Sequence, residues 1–238
     1  MAKSKSVWLC QRCAFEAPAF ENPCRNCNEW NSLVETIKER PSASARVRAA
    51  TSASAGGPAR PQALRRASAD RAPRVPLGVP EFDRVLGGGA VPGSVVLLGG
   101  EPGIGKSTLL LQAAAGIAAA GGRVLYASGE ESAAQIADRA ERLGLMGGPA
   151  ADGVELLAES EVGAISEALM LSTPTLLIVD SIQTATLGGL EGPAGSVGQV
   201  RGAADWLAGA ARATGCAVIL VGHVTKEGSI AGPKTLEH

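Results

Sequence analysis

The sequence predicts an α/β protein in which helices cover a mainly parallel sheet, with a small cysteine-rich module in front of it. Three observations support this fold class. Short apolar segments alternate with helical ones from Val75 onward, which favours parallel strands buried on both faces. A glycine-rich motif joins one apolar segment to a helix, and four of the five cysteines lie between residues 10 and 27. The 238 residues, 45% of them hydrophobic, suffice for one full domain and an appendage.

Composition divides the chain into three regions. Residues 1–35 combine the cysteine cluster with two tryptophans and two phenylalanines, which predicts a mini-domain. Residues 36–74 are rich in Ala, Ser, Arg and Pro without apolar periodicity, which predicts a flexible basic linker. Residues 75–238 form the predicted core. Because residues 1–75 hold 13 Lys and Arg against 6 Asp and Glu, this extension is suited to a polyanion or a partner, although disordered tails are often basic too.

The chain carries no signal for a membrane or for secretion. It has no apolar run of eighteen residues, and its basic start is followed by Cys10 rather than by an apolar signal core. The sequence therefore predicts a cytoplasmic protein with no membrane partner.

Periodicity predicts five strands and three helices in the core. The strands are Ser94–Leu98, Val124–Ala127, Val154–Leu157, Leu176–Val179 and Ala217–Val221. The helices are Lys106–Ala120, Ser132–Leu143 and Ser196–Thr214. Gly121-Gly122 and Gly144 stand where helix C-caps are expected, which supports two of the helix ends.

The glycine-rich motif is Gly100-Glu101-Pro102-Gly103-Ile104-Gly105-Lys106-Ser107, followed by Thr108. Its glycines let the backbone turn tightly, so that consecutive N–H groups point at a phosphate at the start of a helix. Lys106 can reach the β- and γ-phosphate oxygens, and the Ser107 hydroxyl is placed to bind Mg²⁺. Because the motif follows an apolar strand and precedes a helix, it predicts a site for ATP and Mg²⁺ rather than a chance turn.

Two further strands end in carboxylates. Asp180 closes the strand at Leu176–Val179, as an acid of the Mg²⁺ shell does, although a turn-forming aspartate also fits that position. Glu130 and Glu131 follow the strand at Val124–Ala127, where a water-activating base is expected. They also suit the N-terminus of the next helix through its dipole and cap. We assign Glu130 as the general base and Glu131 as an assisting or structural residue.

The cysteines form two pairs, Cys10-x2-Cys13 and Cys24-x2-Cys27, separated by ten residues. Each pair on a tight turn can supply one side of a tetrahedral metal ion. Structural Zn²⁺ is favoured over disulfides because a cytosolic protein keeps its thiols reduced and so short a segment needs a staple to fold. An iron–sulfur cluster is the remaining alternative. Cys216 begins a core strand and is expected to be a small buried hydrophobe.

Beyond these motifs, the chain resembles the RadA (Sms) family of bacterial DNA repair proteins over essentially its whole length. The resemblance rests on the four cysteines and on five segments: Asn28-Glu29-Trp30-Asn31, Gly78-Val79-Pro80-Glu81-Phe82-Asp83-Arg84-Val85-Leu86-Gly87-Gly88-Gly89, Ser128-Gly129-Glu130-Glu131-Ser132, Asp180-Ser181-Ile182-Gln183-Thr184, and Val221-Gly222-His223-Val224-Thr225-Lys226-Glu227-Gly228.

The family resemblance implies a RecA-like P-loop ATPase core behind a four-cysteine zinc finger. It implies a DNA-dependent, helicase-like ATP hydrolase that processes recombination intermediates and promotes branch migration alongside RecA. The implied partners are single-stranded or branched DNA, RecA and, in the full-length protein, five further copies in a homohexamer. The alternative function is a regulatory ATP-binding module or a zinc-finger scaffold without motor activity.

At the level of residues, the resemblance places Lys106, Ser107 and Asp180 at nucleotide and Mg²⁺ and Glu130 at the catalytic base. It adds His223 as a γ-phosphate sensor, with a polar residue that merely ends a strand as the alternative. It also implies two DNA-facing loops, whose glycines fit mobile segments. These loops are Ala185–Val197 and Lys226–Lys234, and the cations that would meet phosphates are Arg201, Lys226 and Lys234, although solvated surface charge is the commoner role for any one of them.

One departure from the family pattern concerns the end of the chain. It stops at His238, before the family's Lys-Asn-Arg-Phe-Gly motif and its Lon-protease-like domain. We therefore expect an N-terminal fragment whose core lacks its last strands and whose own activity is uncertain.

Overall fold

The computed structural model of the chain describes residues 6–10, 16–17, 22–37, 61, 63–65 and 72–223. It divides into two compact units, Met1–Ala45 and Arg46–His238. Within the described residues, no helix combines the length and the apolar character needed to cross a membrane.

The first unit contains a small antiparallel sheet. Its strands are β1 (Ser6–Cys10), β2 (Glu16–Ala17) and β3 (Leu33–Ile37), in the order β2-β1-β3. Strand β3 ends two residues beyond the predicted boundary at residue 35. Four buried residues form the centre of the unit: Cys10, Ala17, Cys24 and Leu33. Two of these four are cysteines, so the described residues of this unit bury little apolar surface apart from thiols.

The second unit is built on a five-stranded sheet in which every neighbouring pair is parallel. Its strands are β4 (Val95–Gly100), β5 (Val124–Ser128), β6 (Val154–Ala158), β7 (Leu176–Asp180) and β8 (Ala217–His223). Their order is β4-β8-β7-β5-β6. The predicted α/β fold class with a mainly parallel sheet is therefore confirmed, in an arrangement consistent with a RecA-like P-loop ATPase core.

Six helices accompany the sheet in the described part of the chain. They are α1 (Pro80–Val85), α2 (Lys106–Ala119), α3 (Ala133–Arg142), α4 (Pro149–Asp152), α5 (Val162–Ser172) and α6 (Val197–Thr214). The three predicted helices correspond to α2, α3 and α6. Gly121 and Gly144 follow α2 and α3 with φ angles of 85° and 69°, a left-handed conformation that glycine adopts without strain.

Local capping explains where two helices begin. At α3, the Ser132 hydroxyl accepts the N–H of Gln135, whose side chain in turn accepts the N–H of Ser132. This reciprocal capping box satisfies two N–H groups that a helix start leaves unpaired. At α5, the Glu161 carboxylate accepts the N–H of Ala164 at 2.8 Å. The sequence does not predict α5, because its residues are apolar on most faces and show no clear helical period.

The core lies between the sheet and α2. All five residues of β5 and all five of β7 are buried, as expected for central parallel strands. The pairing register places Ser128 beside Asp180 and Gly100 beside His223, so the carboxyl ends of four strands meet at one edge. Ligands of open α/β sheets bind at this edge. The strands extend one or two residues beyond the predicted ends here, so several candidate site residues lie on the sheet itself.

Candidate functional site

The glycine-rich motif forms the loop between β4 and α2. Gly103 and Gly105 have φ angles of 79° and 102°, a conformation that side chains other than glycine rarely adopt. Gly105 is the N-cap residue of α2 and offers no side chain to the first turn. The N–H groups at the start of α2 therefore have no capping side chain, which is the arrangement that favours a phosphate.

The Lys106 side chain lies inside this loop. It is only 8% exposed, and its ammonium group donates to the carbonyl oxygens of Gly100 and Glu101, both at 2.8 Å. A Cβ atom at position 100 would lie 3.2 Å from Ile104 and 3.3 Å from the Lys106 side chain. Glycine at position 100 therefore leaves room for the lysine. Among the residues that the structure describes, no carboxylate pairs with this ammonium group, so a positive charge lies beside the loop.

Asp180 ends β7 and is nearly buried. Its Oδ2 accepts a hydrogen bond of 2.7 Å from the phenol of Tyr126, which is fully buried in β5. Burial raises the pKa of Tyr126 far above its usual value, and the charge of Asp180 raises it further. The phenol therefore stays protonated and acts as a permanent donor to Asp180. Ser107 and Thr108 line the same cleft as Asp180, which brings hydroxyl and carboxylate oxygens together.

Glu130 is held from the neighbouring strand end. Its Oε1 accepts a hydrogen bond of 2.6 Å from the hydroxyl of Ser181, which is 1% exposed. The Ser181 carbonyl in turn accepts the hydroxyl of Thr184 at 2.9 Å. The peptide bond between Asp180 and Ser181 is cis. The Glu130 carboxylate thus lies beside the cleft in an orientation set by a residue of the β7 end.

Glu131 has a different kind of partner from Glu130. It forms an ion pair with Arg139 of α3, and the two side chains are only 27% and 21% exposed. The Ser128 hydroxyl accepts the N–H groups of both glutamates, at 3.4 Å for Glu130 and 3.1 Å for Glu131. The two adjacent carboxylates therefore have separate surroundings. The charge of Glu131 is matched by a guanidinium, whereas Glu130 accepts from a neutral hydroxyl.

His223 ends β8 beside the loop residue Gly100. Its Nδ1 lies 3.4 Å from the side-chain oxygen of Gln183, and the side-chain nitrogen of Gln183 donates to the His223 carbonyl at 3.5 Å. His223 also lines the cleft. His223 therefore lies close to the segment that follows Asp180.

Most of the predicted site residues converge on a single open cleft. Its walls are formed by Pro102, Gly103, Gly105, Lys106, Ser107, Thr108, Ser128, Glu130, Glu131, Arg139, Asp180 and His223. Gly100 and Glu101 contribute through their carbonyl contacts with Lys106. Ile104 is 68% exposed at the tip of the loop and does not line the cleft.

Sequence reasoning missed four residues that shape this site. Tyr126 and Ser181 hold the two carboxylates, Arg139 pairs with Glu131, and Gln183 contacts His223. Ser181 directly follows Asp180 and could have been considered from that position. Tyr126 and Gln183 carry no such signal, because the order of the strands brings them close to Asp180 and His223. Arg139 reaches Glu131 from eight residues further along the chain, on α3.

The predicted DNA-facing loops are only partly described. Lys226–Lys234 lies outside the described residues, and Arg201 is exposed on α6. The first half of Ala185–Val197 is held against α6. Gln199 accepts the N–H of Leu187 at 2.8 Å and donates to the carbonyl of Leu190 at 3.0 Å. These two hydrogen bonds join this half of the loop to α6, and the mobility expected from the glycine content stays a prediction.

Three of the four predicted metal ligands lie together in the first unit. The sulfur atoms of Cys10, Cys24 and Cys27 are all within 4.8 Å of one another, and those of Cys10 and Cys27 are 3.6 Å apart. Thiolates bound to one tetrahedral zinc ion at about 2.3 Å would lie roughly 3.8 Å apart, so the three sulfurs fit such an ion. Cys13 lies outside the described residues. Cys216 is in the second unit, where burial raises its pKa to about 12, as expected of an inert core thiol.

Comparison with known proteins identifies the family. A family model described as AAA domain matches residues 58–229, most of the chain and all of the cleft. The chain belongs to the AAA domain family. Over its whole length, the chain is similar to "DNA repair protein RadA" of Halalkalibacterium halodurans and of Bacillus subtilis. The identity is 45% over 238 and 239 residues, respectively. A protein of the same name from Listeria monocytogenes is 43% identical over 240 residues.

These matches include the whole of this chain, so the resemblance to the RadA family is confirmed. The chain spans 50%, 51% and 50% of those three relatives, which is about half their length.

Proposed function

We propose that this chain binds and hydrolyses ATP and supplies the ATPase core of a DNA repair protein. The observation that carries the proposal is the convergence of Lys106, Ser107, Asp180 and Glu130 on one cleft at the carboxyl edge of the sheet. The similarity to proteins named DNA repair protein RadA supports the biological setting. We propose in addition that the ATPase is stimulated by DNA, is helicase-like and acts in recombinational repair.

The binding step follows from the loop and its lysine. The N–H groups at the start of α2 receive the β-phosphate, while Lys106 exchanges its carbonyl partners for β- and γ-phosphate oxygens. Ser107 and Asp180 supply oxygen ligands of the kind that Mg²⁺ prefers. When bound, Mg²⁺ neutralises charge on the β- and γ-phosphates.

The chemical step requires a base beside the γ-phosphate. Glu130 accepts a proton from a water molecule, whose oxygen bonds to the γ-phosphorus as the bond to the bridging oxygen of ADP breaks. The products are ADP and inorganic phosphate. Glu130 is the better candidate of the two adjacent acids, because Arg139 already matches the charge of Glu131. The Ser181 hydroxyl keeps the Glu130 carboxylate in place.

His223 is proposed as the sensor of the γ-phosphate. It lines the cleft from β8, and Gln183 connects it to the segment that leads toward the loop at residues 185–197. A change at His223 on hydrolysis could therefore reach that loop through a short, continuous stretch of chain. This route would couple ATP turnover to single-stranded or branched DNA held at the loops with Arg201, Lys226 and Lys234.

The remaining partners follow the family resemblance. We propose that the full-length protein acts with RecA on recombination intermediates, promotes branch migration and assembles as a homohexamer. The first unit is proposed as a zinc finger with Cys10, Cys13, Cys24 and Cys27 as ligands. The sulfurs of Cys10, Cys24 and Cys27 lie within 4.8 Å of one another, which supports this proposal. Few apolar side chains are buried among the described residues of the unit, so a metal would help to hold it together.

The test of the proposed base compares two glutamine variants of the full-length protein. Glu130→Gln should retain ATP binding and lower the turnover number by at least about 100-fold, as loss of a general base does. Glu131→Gln is the matched control, one residue away, and should retain most of the turnover because it removes an ion pair rather than the base. An equal loss in both variants, or normal hydrolysis by Glu130→Gln, would reject the assignment.

The test of DNA dependence measures ATPase rate with and without single-stranded DNA on the same full-length protein. Stimulation that weakens as salt rises is expected, because phosphate contacts release counterions. An ATPase rate that DNA leaves unchanged would instead favour a regulatory ATP-binding module or a scaffold.

A further inference from the structure

Tyr126 is a buried polar residue that the proposed chemistry does not use directly. It lies in the middle of β5, is fully buried and is the chain's single tyrosine. Its phenol donates to Asp180 at 2.7 Å, across 54 residues of sequence. Phenylalanine would fill the same apolar space. The hydroxyl group therefore needs an explanation other than packing.

The surroundings of Tyr126 show what the hydroxyl can act on. Asp180 of β7 accepts its hydrogen bond, and Glu131 and Arg139 are the other charged groups close enough to influence it. Glu131 and Arg139 are paired with each other. Of the two carboxylates near the phenol, Asp180 is thus the one that depends on it.

The hydrogen bond fixes how Asp180 meets the cleft. Tyr126 donates to Oδ2, and Asp180 contributes to the cleft wall. The other carboxylate oxygen, Oδ1, would then be the one that meets a cation in the cleft. An aspartate has a broad χ2 preference, so without a fixed partner its carboxylate could rotate away from that orientation.

We propose that Tyr126 is a positioning residue that orients Asp180 for Mg²⁺ in the nucleotide cleft. This inference rests on the proposed function, since it assumes that Mg²⁺ and a nucleotide bind there. A partner that orients a metal-binding carboxylate affects metal affinity more than it affects nucleotide contacts made elsewhere. Its removal should therefore change the Mg²⁺ dependence of binding rather than the nucleotide site as a whole.

The test is Tyr126→Phe, which removes one hydroxyl and keeps the ring. Binding of a fluorescent ATP analogue is titrated with Mg²⁺, and the concentration for half-maximal effect should rise about tenfold, the lower end of the range for such partners. Affinity for the analogue in EDTA should equal that of the wild type. An unchanged Mg²⁺ half-saturation in Tyr126→Phe would overturn the inference.

Two further variants separate positioning from a general loss of structure. Val124→Ala truncates a buried residue of the same strand and should lower thermal stability without changing Mg²⁺ half-saturation. In an Asp180→Asn background, adding Tyr126→Phe should have little further effect on Mg²⁺ dependence, because the two residues act as one unit. An undiminished tenfold change in that background would contradict a role through Asp180.

A measurement on the wild type makes the proposal testable even if Tyr126→Phe folds poorly. Since the chain has one tyrosine, labelling tyrosine with ¹³C at the ring carbon that bears the hydroxyl gives one NMR resonance, which belongs to Tyr126. Mg²⁺ with nucleotide should shift that resonance as charge on Asp180 is drawn toward the cation, and no shift would count against the proposal. A wild-type chain without Mg²⁺-supported nucleotide binding would overturn the proposed function as well. Normal Mg²⁺ behaviour in Tyr126→Phe alone would overturn only this inference.

Discussion

Ser181 illustrates how a single buried hydroxyl can set the geometry of catalysis. It is almost fully buried and donates to the Glu130 carboxylate at 2.6 Å. Loss of a hydrogen bond to a charged group costs about 1.5–3 kcal/mol. We therefore expect Ser181→Ala to lower the turnover number by roughly tenfold or more with little change in KM for ATP, since the residue orients the base without binding the nucleotide. Steady-state kinetics on the full-length protein measures both parameters.

Ser166→Ala is a matched control for this prediction. Ser166 is also buried, donates to the carbonyl of Val162 and accepts from the indole of Trp206, but it lies between α5 and α6 and outside the cleft. It should lower thermal stability while leaving the turnover number close to normal. If both alanine variants reduce turnover to the same extent, the effect of Ser181→Ala reflects stability and the positioning role is wrong.

The residue contacts also mark the limit of prediction from sequence. Lys106, Ser107 and Asp180 are predictable because each stands in a motif whose spacing is local. Tyr126 and Asp180 are 54 residues apart, and Ser181 and Glu130 are 51 apart. These pairs meet because β5 and β7 are neighbours in the sheet, although β6 lies between them in sequence. No local pattern encodes the order of strands, so the sequence does not predict which residues pair, even though Ser181 is marked by its position after Asp180.

At the level of elements, the backbone at Leu77 crosses α2 so closely that one position of the helix has no room for a side chain. Gly116 lies inside α2, and a Cβ atom there would be 2.6 Å from the carbonyl oxygen of Leu77. The Asp83 carboxylate fixes that segment by accepting the N–H groups of Leu77 and Gly78. The backbone therefore has no easy way to move aside.

For this reason we expect Gly116→Ala to destabilise the protein. Glycine to alanine inside a helix normally stabilises by up to about 1 kcal/mol. Here the overpacking against a fixed carbonyl should reverse the sign and cost about 1–3 kcal/mol of the free energy of unfolding. Urea denaturation measures the change.

The control is Gly198→Ala in the first turn of α6. An added Cβ there meets no atom within 4 Å, so this variant should be neutral or stabilising. Equal effects of the two substitutions would mean that the contact between Gly116 and Leu77 does not constrain α2.

The elements themselves were predictable to different degrees. The five strands follow from short apolar segments bounded by polar or glycine-rich turns, and α2, α3 and α6 follow from their caps and periods. Helix α5 has no charged face, because Glu167 is the only ionisable residue among its eleven. Periodicity therefore could not distinguish it from another buried segment.

At the scale of the whole molecule, the two candidate sites lie in separate units. The cysteine cluster belongs entirely to the first unit and the nucleotide cleft entirely to the second. Few apolar side chains are buried among the described residues of the first unit, so we expect its folding to depend on a bound metal. The second has an extensive core and should fold without one. Removal of metal should therefore affect the two sites unequally.

This difference predicts the behaviour of cysteine variants. Purified protein should contain about one zinc ion per chain, and Cys13→Ser or Cys24→Ser should lower that content several-fold, since a tetrahedral site with three thiolates binds zinc less tightly. Cys216→Ala should keep its zinc, because Cys216 lies in the second unit. Metal content and binding of a fluorescent ATP analogue are measured on the same samples.

ATP binding that survives the loss of zinc would support independent folding of the core. Iron in the purified protein, with visible absorbance, would indicate an iron–sulfur cluster instead of zinc. A zinc content that Cys24→Ser leaves unchanged would exclude the proposed ligand set.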